Sequence, residues 1–445
     1  MKLRVPEKVN FIIDILRRHG HEAYAVGGCV RDSILARQPN DWDITTSALP
    51  QQVKRLFKHT IDTGIQHGTV TVMMEKEGFE VTTYRVDGDY SDGRHPDKVT
   101  FTPSLEEDLK RRDFTINAMA YNEENGLIDL YNGMEDLQKH VIRCVGNPNE
   151  RFEEDALRVL RAIRFAAQLG FKIDPATWEA VKSHAKNLNR ISAERIRVEM
   201  VKLLESPNPI MFRLLYEAGI TAVIMPEFDV CMKTEQHTPY HIYSVGEHIL
   251  HSLTFVPDDK VLRLTMLFHD IGKPCVHRKD ANGIDHFKGH AAESSTMARS
   301  IMKRLKFDND TIGKVCKLVY YHDLRPEATE PAVRRAIYEI GPDLFTQYLC
   351  VQRADNFAKN TSLLQTMFDR IDQVNRLYIK IIGRGDPLSL KDLKINGSDL
   401  VQMGIKGREI GEILESALMA VLDKPEMNDR EILLTYAKQE AKIKL

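Results

Sequence analysis

Cysteine is sparse in this chain and never paired in sequence. Cys29, Cys144, Cys231, Cys275, Cys316 and Cys350 lie far apart, with no C-x-x-C among them. That spacing excludes a disulfide framework and a zinc knuckle, and it fits reduced, mostly buried thiols of a cytoplasmic protein. Long apolar runs are missing as well. No stretch approaches the ~20 residues of a membrane span. The N-terminal "MKLRVPEKVNFIIDILRRHG" has no small-residue cleavage site behind an apolar core, so it reads as an amphipathic helix and not a signal peptide. No membrane partner is expected. Charge of one sign is absent too: 62 Lys and Arg against 64 Asp and Glu leave a formal net charge of −2. This argues against a generally basic nucleic-acid binder, DNA included, but leaves a local basic strip open. There is no internal repeat and no low-complexity tract. Neither phosphate signature, G-x-x-x-x-G-K-[ST] or G-x-G-x-x-G, occurs.

What is present divides in two. At ~100–200 residues per domain the length predicts two to four domains. In the first third, "EAYAV" (22–26), "DWDIT" (41–45), "GTVTVMMEK", "GFEVTTYRV" and "DKVTFT" alternate or are rich in β-branched residues and read as strands. After about Asp129 the β signal fades. From Glu153 onward Leu, Ile, Ala and Met recur at helical spacing, broken near Pro207, Pro226, Pro257, Pro326 and Gly383. The fold class is α+β: a mixed sheet with helices forms the head, and all-α modules follow.

The chemistry in the head starts at "AVGGCVRDSILARQPNDWDITTS". Asp41 and Asp43 are two apart, so on a strand both carboxylates leave one face. Paired carboxylates repel unless a cation lies between them, and Mg²⁺ suits oxygen ligands that share it with water and phosphate. Gly27-Gly28 allows a backbone turn to approach a ligand, and a helix over Val30–Ala36 would point its N-terminus at phosphate with Arg31 alongside. Farther on, "RFEEDALRVLRAIRF" carries an apolar stripe. Asp155, Arg158, Arg161 and Arg164 spread over the opposite side, three forked cations suited to base edges and phosphate. Glu80 on "FEVTTYR" is a candidate third carboxylate beside the metal.

These motifs carry a resemblance. "GGCVRD" followed by "DWDITTSA", then "RRDFTINAMAY" (111–121) and "GNPNERFEEDALRVLRAIRF" (146–165), in that order, resemble the nucleotidyltransferase superfamily. Within it they are most similar to class II, bacterial-type tRNA nucleotidyltransferases and the related poly(A) polymerases. The resemblance implies a CTP- and ATP-dependent enzyme that adds the 3′-terminal CCA of tRNA with pyrophosphate release. It makes Asp41 and Asp43 the catalytic, Mg²⁺-holding pair. It places Gly28 and Arg31 on the triphosphate, Arg112 on the nucleotide with Asp113 and Asn117 in support, and Asp155 and Arg158 on the incoming base. Arg161 and Arg164 would help to hold the base or the phosphates. The polar segment "RVDGDYSDGRHPDKVTF" (85–101) resembles the flexible loop that such enzymes need for the terminal A. Whether CCA, the terminal A alone or poly(A) is added stays open at this point.

A second constellation lies in the helical half. His269-Asp270 ends the apolar "VLRLTMLF" and precedes "GKP", with His248 upstream and "GHAAESS" and "YYHDL" downstream. Adjacent His and Asp with further His match a divalent-metal cluster. This resembles the HD phosphohydrolase domain, whose carry-over is His248, His269, Asp270 and a distal aspartate. Asp323, in "YYHDL", and Asp355, in "QRADN", both fit the distal place, with His241, His290 and His322 as extra candidates and a transition metal as a candidate ion. A hydrolase acting on nucleotide or RNA ends is the competing reading of the whole chain. In the tail, Gly404, Gly407 and Gly411 surround Lys406 and Arg408, a backbone-plus-cation arrangement suited to RNA phosphate. The expected organisation is 1–138 head, 139–230 helical neck and body with the base-selecting helix, 231–360 HD domain, and 361–445 helical, tRNA-binding tail. The expected partners are tRNA, CTP and ATP.

Overall fold

The structure, a computed structural model, describes residues 1–87, 99–237, 242–359 and 364–443. The chain forms two compact units, Met1–Pro226 and Glu227–Leu445. Among the described residues no helix is long and apolar enough to cross a membrane.

The first unit is built on a seven-stranded sheet. In chain order its strands are β1 (Ala23–Val26), β2 (Ile44–Thr46), β3 (Thr60–Gly64), β4 (Thr69–Met74) and β5 (Glu77–Thr83). A separate pair follows, β6 (Arg85–Asp87) and β7 (Val99–Phe101), and the sheet is completed by β8 (Met119–Asn122) and β9 (Gly126–Asp129). The spatial order is β3-β4-β5-β2-β1-β8-β9. Only β2 and β5 run parallel; the other neighbours are antiparallel. The central strands β1, β2 and β8 are buried throughout, which is why they read as apolar or Thr-rich runs rather than alternating ones. The N-terminal helix Glu7–Arg18 buries Val9, Ile12, Ile13 and Leu16 on one stripe.

This topology brings distant motifs to one end of the sheet. Because β1 runs antiparallel to both β2 and β8, its end at Val26 lies beside the starts of the other two. Val26 N–H donates to Asp43 O at 3.0 Å, and Gly27 N–H donates to Met119 O at 3.1 Å. The glycine turn after β1, the aspartates before β2 and the 111–117 stretch before β8 therefore converge.

Two expected elements shift. The aspartate pair is not on a strand: β2 begins at Ile44, and Asp41 and Asp43 belong to the approach to it. The helix after the glycines is Gly28–Ile34, not Val30–Ala36. Strands β3, β8 and β9 carry no signal that was read from the sequence. Beyond the head, a parallel pair joins Val141–Ile142 to Lys172–Ile173, and a hairpin joins Arg278–Lys279 to Asp285–His286, so the later chain is helical but not wholly so.

The second unit is a set of packed helices. One core gathers Leu318, Val333, Ile337, Phe345 and Tyr348. Another in the tail gathers Leu400, Ile413, Leu418, Leu422 and Leu433.

Candidate active site

The end of the sheet presents carboxylates to solvent. Asp41, Asp43 and Glu80 are all exposed. Extending the Ile44↔Val81 register by one residue sets Glu80 beside Asp43. The recess around Asp43 strips part of its hydration, and Asp41 and Glu80 repel its charge, so its pKa rises to about 6 against the pull of Arg112. Its accessible face limits the energetic weight of that shift. The donor set is oxygen only.

Behind the carboxylates stands the glycine turn. Gly27 has φ +84°, a conformation that favours glycine, and a Cβ there would lie 3.1 Å from Arg112 Nη1. The turn and Arg112 are thus pressed together. Arg112 leans on Asp108, a fully buried carboxylate whose Oδ2 lies 3.4 Å from Arg112 Nη2 and accepts from Thr45 Oγ1 at 3.0 Å. Arg111 donates to Asp108 Oδ1 through Nε at 3.0 Å and Nη2 at 2.7 Å. The two guanidiniums hold Asp108 below its ordinary range in spite of burial.

A relay of side chains leads inward from the turn. Arg31 is buried, and its fork grips Asp32 at 2.8 and 2.9 Å while Nη1 donates to Asn117 Oδ1 at 2.7 Å. Asn117 Nδ2 donates to Asp113 Oδ1 at 3.3 Å. Asp113 Oδ2 accepts from Arg161 Nε at 2.8 Å and Nη2 at 2.5 Å. Arg161 and Arg158 hold the Asp113 carboxyl well below the usual carboxylate range, outweighing its burial. Phe165 sits among three guanidiniums, with Arg31, Arg161 and Arg164 at 5.1, 5.3 and 3.7 Å from its ring centroid. The glycine-turn side and the arginine helix are therefore one polar network around one aromatic ring.

The stretch expected as a single helix is broken. Pro148–Glu154 and Leu157–Leu169 are separate helices, and Asp155 lies at the break with extended backbone. The break frees its carboxylate. Oδ1 accepts from Leu157 N–H at 3.0 Å, and Oδ2 accepts from Arg195 Nη2 at 3.0 Å. The arginines are not a solvated face either. Arg158 is 9% exposed and donates to Glu154 Oε2 at 2.6 Å, Arg151 O at 3.1 Å and Arg111 O at 2.9 Å. Arg164 is 6% exposed and donates to Glu199 Oε2 at 2.6 Å. Arg195 and Glu199 share the Ala193–Leu204 helix. Neither was singled out in the sequence, although a glutamate on the buried side of an apolar-periodic helix was a usable signal. Asp108 and Phe165 were also missed.

Residues 23–143 match the poly A polymerase head domain, and 170–232 match the probable RNA and SrmB-binding site of polymerase A. Residues 289–437 match the model of tRNA nucleotidyltransferase domain 2. Fold and site together define a protein with a polymerase-type nucleotidyltransferase head. The chain is 35% identical over 432 residues to the CCA-adding enzyme of Ligilactobacillus salivarius, covering 96% of this chain and 95% of that protein. It therefore belongs to the CCA-adding enzyme family. It is also 56% identical over 199 residues to the CCA-adding enzyme of Limosilactobacillus reuteri (strain DSM 20016), a match over 45% of this chain that spans about half, 49%, of that relative. A solved structure of the Bacillus stearothermophilus CCA-adding enzyme in complex with CTP superposes with a TM-score of 0.75 at 28% identity over 99% of both chains. The Thermotoga maritima enzyme complexed with tRNA-CCA shares the fold at a TM-score of 0.59 and 22% identity, covering 99% of this chain and 100% of that one.

The matched models leave 233–288 between them, and that interval holds His248, His269 and Asp270. Two groups of side chains with ligand atoms within 4.8 Å of one another occur among the described residues: His248, His269 and Asp270, and Asp270, His290 and His322. Asp41, Asp43 and Glu80 do not form such a group. Gly272 lets these segments meet, since a Cβ there would lie 2.5 Å from Ser294 N. Burial pushes His269 down to about 3, so its imidazole is neutral. Of the two aspartates that fit the distal place, one lies beside the cluster. Asp355 Oδ1 lies 3.1 Å from His248 Nε2, while Asp323 is exposed, 3.5 Å from Arg325. Following His322 at a helix end turns Asp323 outward. His241 and most of the 85–101 loop lie outside the described residues. In the tail, Arg408 is exposed and pairs with Glu412 at 3.1 Å. Gly404 and Gly407 have φ +87° and +62°.

Proposed function

We propose that this chain transfers CMP and AMP from CTP and ATP to the 3′ end of tRNA, building or repairing the terminal CCA. Asp41 and Asp43, with Glu80 beside them, would hold Mg²⁺, which when bound would supply activation of the RNA 3′-hydroxyl and charge neutralisation for the departing pyrophosphate. Hard, solvent-open oxygen donors suit an ion that keeps water and shares phosphate. The first backbone N–H groups of the Gly28–Ile34 helix are offered to the triphosphate, and Arg112 adds a charge braced by Asp108. Arg31 ties this phosphate side to Asn117 and Asp113.

Asp155 and Arg158 choose the base. A carboxylate accepts from the amino group that cytosine and adenine share, and a guanidinium donates to their ring nitrogen or carbonyl; uracil and guanine present a different pattern. Arg195 fixes the Asp155 carboxylate, and Glu154 fixes Arg158. Arg161 and Arg164, anchored on Asp113 and Glu199, back them. Lys406 and Arg408 in the tail contact RNA phosphate. Six unpaired cysteines suit a cytoplasmic setting. The His248, His269, Asp270 and Asp355 cluster, rich in imidazole, suits a divalent transition ion.

The observation that carries this reading is the Arg31–Asn117–Asp113–Arg161 relay, which couples the phosphate side of the head to the arginine helix. The test is extension of tRNAs ending at the discriminator base, at C and at CC, with labelled CTP and ATP. Growth by C, C and A followed by arrest is expected. Long A tails, or A addition to tRNA-CC alone, would replace the reading with a poly(A) polymerase or an A-adding enzyme.

A further inference from the structure

The formal net charge of the chain is −2, so attraction for a polyanion has to come from a local field. Cations gather in "PCVHRKDANGIDHFK" (274–288), inside the interval between the matched family models. The stretch holds the Arg278–Lys279 and Asp285–His286 hairpin. Its two carboxylates are turned onto the hairpin itself. Asp285 is 3% exposed and accepts from His277 Nε2 at 2.7 Å and from His237 through N–H at 2.7 Å and Nδ1 at 2.9 Å. Asp280 caps the turn. Its Oδ1 accepts from Asn282 N–H at 2.9 Å and Ile284 N–H at 3.0 Å, and its Oδ2 from His286 Nε2 at 2.9 Å.

The cations are arranged the opposite way. Arg278, Lys279 and Lys288 are all exposed. Lys279 lies 3.7 Å from Asp285, too far for a hydrogen bond, and among the described residues neither Arg278 nor Lys288 is ion-paired. All three line a cavity of about 620 Å³, together with Cys275, His277 and His286. The carboxylate in its wall is Asp280, whose oxygens are already engaged by the turn and by His286. The cavity therefore presents cationic side chains on a hairpin fastened from within.

We propose that this hairpin cavity docks the phosphodiester backbone of the RNA substrate, at a place separate from the His248–Asp270 cluster and from the tail. The inference rests on the reading of the chain as a tRNA-extending enzyme. The ligand class follows from charge and shape. Long exposed cations meet a strand that carries one charge per nucleotide, and each phosphate they neutralise releases counterions. Contacts of this kind fix the orientation of an RNA without reading its sequence. The hairpin is held by Asp280 and Asp285 before any ligand arrives, so binding does not have to order it.

Cys275 supplies a reporter inside the cavity. It is exposed, whereas Cys29, Cys144, Cys231 and Cys316 are buried and Cys350 is half-buried. Alkylation of the full chain by iodoacetamide is followed by peptide mass spectrometry, with Cys350 as the internal reference. Saturating tRNA lacking CCA is expected to slow the reaction at Cys275 about fivefold or more, and CTP alone to leave it unchanged. Bound tRNA that leaves Cys275 unshielded overturns the site and leaves the functional reading standing. Failure of tRNA to bind overturns both. Equal slowing by CTP replaces the RNA backbone with a nucleotide as the ligand. The double variant Arg278→Ala, Lys279→Ala is expected to bind tRNA about tenfold more weakly in filter binding, with the slope of log Kd against log salt reduced by about 1.5. Arg278→Lys keeps the charge and is expected to bind within about twofold of the parent. Unchanged affinity and slope in the double variant overturn the phosphate contact, as does a loss in Arg278→Lys equal to that of the double variant.

Discussion

The head and the second unit both gather carboxylates, but they prepare them differently. In the head, Asp41, Asp43 and Glu80 are exposed and contain no nitrogen ligand among them. Their order comes from behind, where buried Asp108 and Asp113 hold arginines in place. In the second unit the carboxylates of Asp270 and Asp355 are themselves buried, 1% and 2% exposed, and face imidazole nitrogen. The lesson concerns exchange. An ion that arrives with a nucleotide and leaves with pyrophosphate needs open oxygen ligands. An ion that resides in the protein tolerates a buried, mixed set.

The sharpest way to break this contrast is Asp43→Ala. Nucleotidyl transfer is expected to fall at least about 1,000-fold, the scale on which charge stabilisation at a reacting centre acts. The metal content of the second unit should stay unchanged. Gel-sized extension products and elemental analysis of the same sample check both halves.

Asp113→Ala tests whether the head depends on its buried support. The variant leaves Arg161 and Asn117 without their shared acceptor, and a loss of about 2–3 kcal/mol is expected in urea unfolding, less than for a wholly buried pair because Arg161 reaches solvent. An unchanged midpoint would make the relay a bystander. Arg195→Ala asks a narrower question. With Asp155 released, discrimination of CTP and ATP against UTP and GTP should fall about tenfold, with stability little altered. Steady-state kinetics with the four nucleotides check it.

Acidity sharpens the comparison further. Asp43 has a raised pKa, so the folded protein binds its proton more tightly than the unfolded chain does. The associated stability is present below the ordinary carboxylate range near 4 and is lost as pH rises through about 6. In chelator, Asp43→Asn should therefore show a smaller drop in melting temperature between pH 5 and pH 8 than the parent. An equal drop would remove the repulsion argument. The smallest effect is expected from Asp323→Ala, which should leave metal content unchanged because its carboxylate faces solvent.

Much of the head was legible because its motifs are local. The glycine turn, the aspartate pair and the 111–121 stretch each carry their own chemistry, and an antiparallel sheet brings their ends together. What the sequence hid is long-range or depends on a break. Arg195 meets Asp155 across 40 positions, and Glu199 meets Arg164 across 35, separations that leave no periodic trace. The interruption at Asp155 falls inside a stretch that is helical by pattern on both sides. Strands β3, β8 and β9 are short, and β8 is buried on both faces, so alternation was unavailable there. In the second unit the His-Asp pair was visible. The approach of Asp355 to His248 was not, because it joins positions 107 apart.

The account rests most heavily on the separation of the two sites. The direct measurement strips the protein with chelator, refills it with Mg²⁺ alone and follows extension of tRNA lacking CCA. Imidazole-rich ligands bind Mg²⁺ poorly, so the second site stays empty under these conditions. The account predicts full addition of C, C and A at the rate of the untreated protein. Extension that returns only when a transition metal is added would contradict it.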